Sequence, residues 1–165
     1  MANIPFSDFV AAVDMEHIDF VNTMHDYMTE RNCKTEIKEA ANGLVVSYVH
    51  KPSKRTVANY IFRKKALMLR IYADHVQSYM ETLANWPASM KSTIKKSGIC
   101  KRLLNPEECN SRCLNGYDFI LDSERQQKCR YGAFMFFLDD ETKPYLREMI
   151  EFEMQERMTG QAGIK

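Results

Sequence analysis

Four of the five cysteines of this 165-residue chain, Cys100, Cys109, Cys113 and Cys129, lie within one short stretch, and Cys33 stands apart. Their spacing is Cys100-x8-Cys109-x3-Cys113-x15-Cys129. Structural zinc takes four thiolates in a tetrahedron, often as a close pair in one loop and a second pair brought in by the fold. Cys109-Asn-Ser-Arg-Cys113 supplies the close pair, and Leu114-Asn115-Gly116 the tight turn behind it. Lys101, Arg112, Lys128 and Arg130 each adjoin a cysteine, where cations favour thiolates and offset the double negative charge of a zinc tetrathiolate. Buried unpaired thiols, a thiol–disulfide switch and an iron–sulfur cluster are the competing outcomes. Cys33, between a helix end and a strand, reads as a small buried hydrophobe.

A second candidate lies on a hairpin. Pairing Thr56–Arg63 with Ala66–Tyr72 across Lys64-Lys65 sets Arg63 opposite Ala66, Ile61 opposite Met68, Asn59 opposite Arg70 and Val57 opposite Tyr72. One face then carries Ala58, Tyr60, Phe62, Leu67, Leu69 and Ile71, all apolar, and must be the core side. The other is mixed. Asn59, Arg63, Arg70 and Tyr72 on it form a candidate ligand-binding set, able to hold an anionic or carbonyl group by charge-assisted hydrogen bonds. The alternative is an ordinary solvent-facing sheet surface. Phosphate loops, dinucleotide fingerprints, serine-nucleophile elbows and HExxH helices are absent from the sequence. The four histidines are scattered, and no acid–base pair is nominated.

The elements that must position these groups follow from periodicity. A short helix over Ser7–Val13 precedes one capped by Asp14, which places Ile18, Val21, Met24, His25 and Met28 inward and stops at Asn32. Strands follow at Thr35–Ala40, Leu44–His50, Thr56–Arg63 and Ala66–Tyr72, with Asn42-Gly43 as a hairpin signal. Asp74 caps a helix to Trp86, and Pro87 opens another that ends at Gly98. Tyr117–Leu121 and Ala133–Leu138 read as strands. Thr142 caps a last helix with Leu146, Met149 and Ile150 inward, and a frayed tail over 159–165 closes the chain. The expected fold is a single α+β domain over residues 1–165. An antiparallel sheet of five to six strands packs against N- and C-terminal helices, and a cysteine-rich segment over 99–130 carries the cysteine-bearing loop.

Composition bounds the rest. With 45% hydrophobic and 27% charged residues the chain can bury a core. Its eleven methionines read mostly as adaptable core filler. The longest apolar run, Ala133–Leu138, is far below the roughly 18 residues of a membrane span. The start, MANIPFSDF, has neither the basic nor the apolar region of a signal peptide. The expectation is a cytoplasmic protein with no membrane association, in which clustered cysteines bind metal or react more often than they cross-link. Net charge is +1, but residues 1–50 carry −5, residues 51–102 carry +10 and residues 103–165 carry −4. A basic middle third predicts an anionic small molecule or an acidic partner, and nucleic acid stays open. Lys91, Lys95 and Lys96 are the first candidates to carry polyanion binding.

The stretch Val46–Leu138, on the pieces SYVHKPSKRT, FRKKALMLRIYADH, SGICKRL, CNSRCLNGYDF and KCRYGAFMFFL, resembles uncharacterised cysteine-containing proteins of Firmicutes. The order of elements is also loosely similar to the small α+β YdhG-like domains, which share a fold class with frataxin. The resemblance implies a bacterial α+β domain; it carries no activity and no functional residue. Two functions compete. One is a binding or regulatory domain, stapled by zinc, with a basic anion-binding face. The other is a small enzyme or thiol-redox protein using the polar hairpin face or a reactive cysteine. The lack of an acid–base or nucleophile constellation favours the first.

Segment 99–116 has little apolar periodicity, and ordering its backbone costs about 1–2 kcal/mol per residue. Zinc tetrathiolate binding, on the order of 10 kcal/mol, offsets a large share of that. Elemental analysis of the purified protein is therefore expected to find one zinc per chain. Chelation and Cys113→Ser are each expected to lower the melting temperature without abolishing the fold, and a metal-free protein that melts unchanged in chelator rules the staple out.

Overall fold

A computed structural model describes residues 3–163 of the chain, with side chains to Thr159. Two helices, α1 (Phe6–Ala11) and α2 (Met15–Thr29), lead into four strands: β1 (Cys33–Ala40), β2 (Gly43–His50), β3 (Arg55–Arg63) and β4 (Ala66–Ile71). Three helices follow, α3 (Val76–Leu83), α4 (Ala88–Lys96) and α5 (Lys101–Leu104). Then come β5 (Tyr117–Leu121), β6 (Glu124–Lys128), β7 (Met135–Phe137) and the long α6 (Lys143–Gly163). The main sheet runs β1-β2-β3-β4-β7, antiparallel throughout, and β5-β6 forms a separate ribbon. This is the expected α+β class. Among the described residues no helix is long and apolar enough to cross a membrane.

The hairpin register is as expected from the pattern: Arg63 pairs with Ala66, Ile61 with Met68 and Asn59 with Arg70. Ala58, Tyr60, Phe62, Leu67, Leu69 and Ile71 are all buried. Phe9 of α1 packs its ring on Tyr60 and Phe62, and His25 of α2 reaches the Tyr48 hydroxyl at 2.8 Å. Val21, Met24 and Met28 of α2, with Leu146, Ile150 and Met154 of α6, complete this layer. Each large apolar side chain so buried contributes about 2–3 kcal/mol. Cys33 lies in the same core beside Met154, and burial pushes its thiol up to about 11, which keeps it protonated and inert.

Some elements differ from the pattern reading. β6, Glu-Arg-Gln-Gln-Lys, has no apolar alternation and is held by its ladder with β5. Asp74 does not cap α3: the cap position is His75, and the helix is kinked at Tyr79. The first hairpin turns at Ala41-Asn42, with Gly43 at φ 132° as the first paired residue. α6 continues to Gly163, past the expected start of fraying, and residues 164–165 lie outside the described residues. Val57 does not share the mixed face with Tyr72. A bulge in β3 pairs Tyr48 with Ala58 but Val49 with Thr56, leaving Val57 as the extra residue. Val57 turns into the core, and Thr56 moves to the outer face beside Val49.

Lys64 and Lys65 join β3 to β4 with both φ angles positive, 52° and 67°, the geometry of a primed hairpin turn. A left-handed L-residue costs about 1–2 kcal/mol, and glycine's extra chain entropy about 0.5–1 kcal/mol. Lys65→Gly is thus expected to raise the unfolding free energy by about 0.5 kcal/mol, the difference between those two costs, measured by urea denaturation; a loss of stability would contradict the turn assignment.

Candidate anion-binding site

At the β3 bulge a buried guanidinium reaches the carbonyls at the start of the strand. Arg157 of α6 donates from Nη1 to Arg55 O and from Nη2 to Thr56 O and Tyr72 O, each at 3.1 Å. Its charge is matched by two carboxylates: Nε meets Glu153 at 2.7 Å and Nη2 meets Asp74 at 3.2 Å. Glu153, fully buried, also accepts the backbone N–H of His75 at 3.0 Å, its Nδ1–H at 2.7 Å and the Tyr79 hydroxyl at 2.8 Å. Asp74 accepts a further bond from Arg130 Nη1. Buried charges survive only when paired and hydrogen-bonded, as every one here is.

Arg130 extends the network outward. Its guanidinium stands 4.9 Å from the Tyr72 ring centroid and 5.8 Å from that of Tyr117, within cation–π reach of both. Burial pushes the Tyr117 hydroxyl well above its ordinary range, so it stays a neutral acceptor for the Ala73 N–H at 3.0 Å.

Above this floor opens a pocket of about 250 Å³, lined by Lys54, Arg55, Thr56, Tyr72, Arg112, Leu114, Arg130 and Tyr131. Four of those eight side chains are cations and none is acidic. Among the described residues the ion pairs of its lining are those of Asp74 with Arg55, at 3.8 Å, and with Arg130; Lys54 and Arg112 have none. Lys54 is held at φ 60°, in a turn closed by Lys54 N to His50 O at 2.8 Å. A lysine in the left-handed region is a strained residue at a site boundary. Tyr131 is half exposed and fixed by its carbonyl, which accepts from Arg70 Nε at 2.8 Å.

The hairpin candidates divide. Tyr72 lines the pocket, and Arg70 props its Tyr131 wall. Asn59 faces Arg70 as expected but is buried, and it donates to Ser47 Oγ at 2.6 Å. Arg63 is exposed at the far end of the hairpin. Of the three α4 lysines, Lys91 and Lys95 both hold Asp122, at 3.0 and 3.1 Å, while Lys96 is exposed without an ion pair among the described residues. Lys54, Arg55, Thr56, Leu114 and Tyr131 escaped the sequence reading. The basic turn Lys51-Pro-Ser-Lys-Arg55 was the available signal, whereas Arg112 and Arg130 drew notice only as neighbours of cysteines.

All five cysteines are free thiols. Cys100 and Cys129 sit on adjoining chain segments, Cys100 N bonding Gln127 O at 3.0 Å and Cys129 N bonding Gly98 O at 2.7 Å. Cys100 Sγ accepts the Gly116 N–H at 3.3 Å. Gly116 must be glycine: a Cβ there would meet Lys128 O at 2.1 Å and Cys100 Cβ at 2.7 Å. The Cys109–Cys113 loop is folded back by Arg102, whose Nη1 donates to the carbonyls of Asn110, Ser111 and Cys113 at 3.3, 3.1 and 2.6 Å. Cys109 is exposed at φ 66°. Among the described residues no three of the four sulfurs lie within 4.8 Å of one another; the trio that does meet that distance is Asp14, Glu16 and His17 at the start of α2. The positive end of the helix dipole makes that a poor place for a cation.

No family model, curated protein or solved structure matches the chain.

The bond to Glu153 raises the His75 pKa above the ordinary 6.5, against the opposing effect of burial. The histidinium therefore stabilises the fold in full below pH 6.5, and its contribution is lost as pH rises through the raised native value. His75→Gln keeps a donor but removes the charge. Its deficit in urea midpoint relative to the parent chain is expected to be largest near pH 5.5 and to shrink by pH 8.5; a deficit that grows with pH would contradict the His75–Glu153 ion pair.

Proposed function

We propose that this domain binds an anion, a phosphate or carboxylate group, in the pocket between the β3 bulge, the end of β4 and the cysteine loop, and acts as a binding or regulatory domain of the cytoplasm. The observation that carries the reading is the pairing of an acid-free lining with four cations, two of which, Lys54 and Arg112, have no carboxylate partner among the described residues. The Asp74–Arg157–Glu153 floor supports it by fixing Arg130 and the backbone of Arg55 and Thr56 before any ligand arrives, so these groups need no ordering on binding. Arginine is suited to oxyanions because its planar fork donates in pairs.

Zinc on Cys100, Cys109, Cys113 and Cys129 enters this proposal only through a closure of the cysteine loop, since no three of these sulfurs lie within 4.8 Å of one another among the described residues. Arg112 and Leu114 flank Cys113, so closing the four thiolates on a metal would set both side chains. The Gly116 N–H donated to Cys100 Sγ is the kind of backbone donor found around metal-bound cysteine. The thiol-redox alternative rests on the exposure of Cys109.

Calorimetric titration with inorganic pyrophosphate is expected to give 1:1 binding. Lys54→Ala and Arg112→Ala are each expected to weaken it roughly tenfold, about 1.4 kcal/mol, and Arg63→Ala, at the far end of the hairpin, to leave it unchanged. Chelation is expected to weaken binding as well. Absence of any binding at low salt would sink the proposal, and rapid, stoichiometric modification of Cys109 in metal-free protein would favour the redox reading.

A further inference from the structure

A second concavity adjoins the pocket at Lys54 and Thr56. It has a volume of about 530 Å³, lies on the outer face of the sheet and is lined by Lys34, Glu36, Val49, Lys51, Lys54 and Thr56. The two share Lys54 and Thr56. Their union is a trough bearing Lys34, Lys51, Lys54, Arg55, Arg112 and Arg130. Glu36 is its one acidic lining residue and is paired with Lys34 at 3.0 Å. The β3 bulge creates the continuity: with an unbroken period of two, Thr56 would point into the core and the trough would be closed at its centre.

A trough that repeats cations over two concavities is longer than one small anion needs. It suits a chain of anions. One end also presents an aromatic platform. The Tyr131 ring is half exposed; its inner side is held by the Tyr72 ring at 6.1 Å and 87°, and by the Arg70 guanidinium 5.7 Å from its centroid. An aromatic ring pinned beside a guanidinium, with a free side at the mouth of a basic groove, is what an unstacked nucleobase binds. An acidic peptide or a bare polyphosphate has no use for it. A duplex keeps its bases stacked inside and offers none to the ring.

We infer that the trough takes a single-stranded nucleic acid, with backbone phosphates along Lys51, Lys54, Arg55 and Arg112 and one base stacked on Tyr131. This rests on the anion-binding reading of the pocket and names its ligand class.

The test is fluorescence anisotropy with 5′-fluorescein-labelled dT10, run beside the pyrophosphate titration on the same full-length protein. The oligonucleotide is expected to bind at least tenfold tighter than pyrophosphate. Four phosphate contacts on a single strand predict a slope of log K against log salt of about −3. Tyr131→Ala is expected to weaken dT10 by about tenfold, within the range of stacking losses. Lys51→Ala, outside the first pocket, is expected to weaken dT10 alone and to flatten its salt slope. If pyrophosphate binds but dT10 binds no tighter, or Tyr131→Ala leaves dT10 unaffected, the nucleic-acid inference falls and the small-anion pocket stands. If poly-glutamate of equal charge binds as tightly as dT10, the inference also falls, because the trough then reads charge alone. If neither pyrophosphate nor dT10 binds, both readings fall.

Discussion

One guanidinium carries an unusual share of this structure. The Arg157 side chain donates to three carbonyls, of Arg55, Thr56 and Tyr72, at the β3 bulge and just past the end of β4. Buried carbonyls without donors cost about 1–3 kcal/mol each. A bulge at this depth is tolerable only because α6 delivers a forked, permanently charged donor to it. That charge in turn demands Glu153 and Asp74, and Asp74 demands Arg130. Bulge, last helix and the strap after β6 are therefore one electrostatic unit. Replacing any single member would strand a buried charge, which is why such networks are strongly destabilised by partial removal even when their net worth is small.

The surface chemistry follows from that unit. Pairing Arg130 with Asp74 places a guanidinium edge and the Tyr72 ring at the bottom of a concavity, while the bulge turns Thr56 outward and brings Lys54 to its rim. The cysteine loop closes the remaining side with Arg112 and Leu114. The three contributions come from segments far apart in the chain, and they meet because α6 fixes one end of the sheet.

The cysteine loop is built on backbone hydrogen bonds rather than on apolar packing. Arg102 gathers three of its carbonyls, the Asn110 side chain accepts from Arg112 N at 2.9 Å, and Gly116 lets the chain pass against Cys100 and Lys128. Leu104 and Leu114 stay exposed. A segment held in this way has few buried contacts and belongs to the low-stability end of the fold. It is also the wall that a bound metal or a bound anion would stiffen.

The sequence by itself determined the sheet and its buried face. The strict alternation in Tyr60, Phe62, Leu67, Leu69 and Ile71 admits one register, because a slip of one residue would expose every one of them. Helical stripes in α2 and α6 were legible for the same reason, and most methionines read as core are core. The bulge was not legible: an extra residue leaves no mark on a pattern in which Thr56 and Val57 suit either face. Nor was β6, whose polar run forms a strand only because β5 offers it a ladder. The candidate site was half visible. Tyr72 and the basic middle third could be read locally, but the union of Lys54 and Arg55 with Arg112, Arg130 and Tyr131 is a long-range product of Arg157 and Asp74. Asp74 was read as a helix cap and Arg157 drew no notice, because a charged residue in or beside a helix gives no local sign that its charge will be buried. Only the tertiary structure, which decides where desolvated charges must pair, places them there.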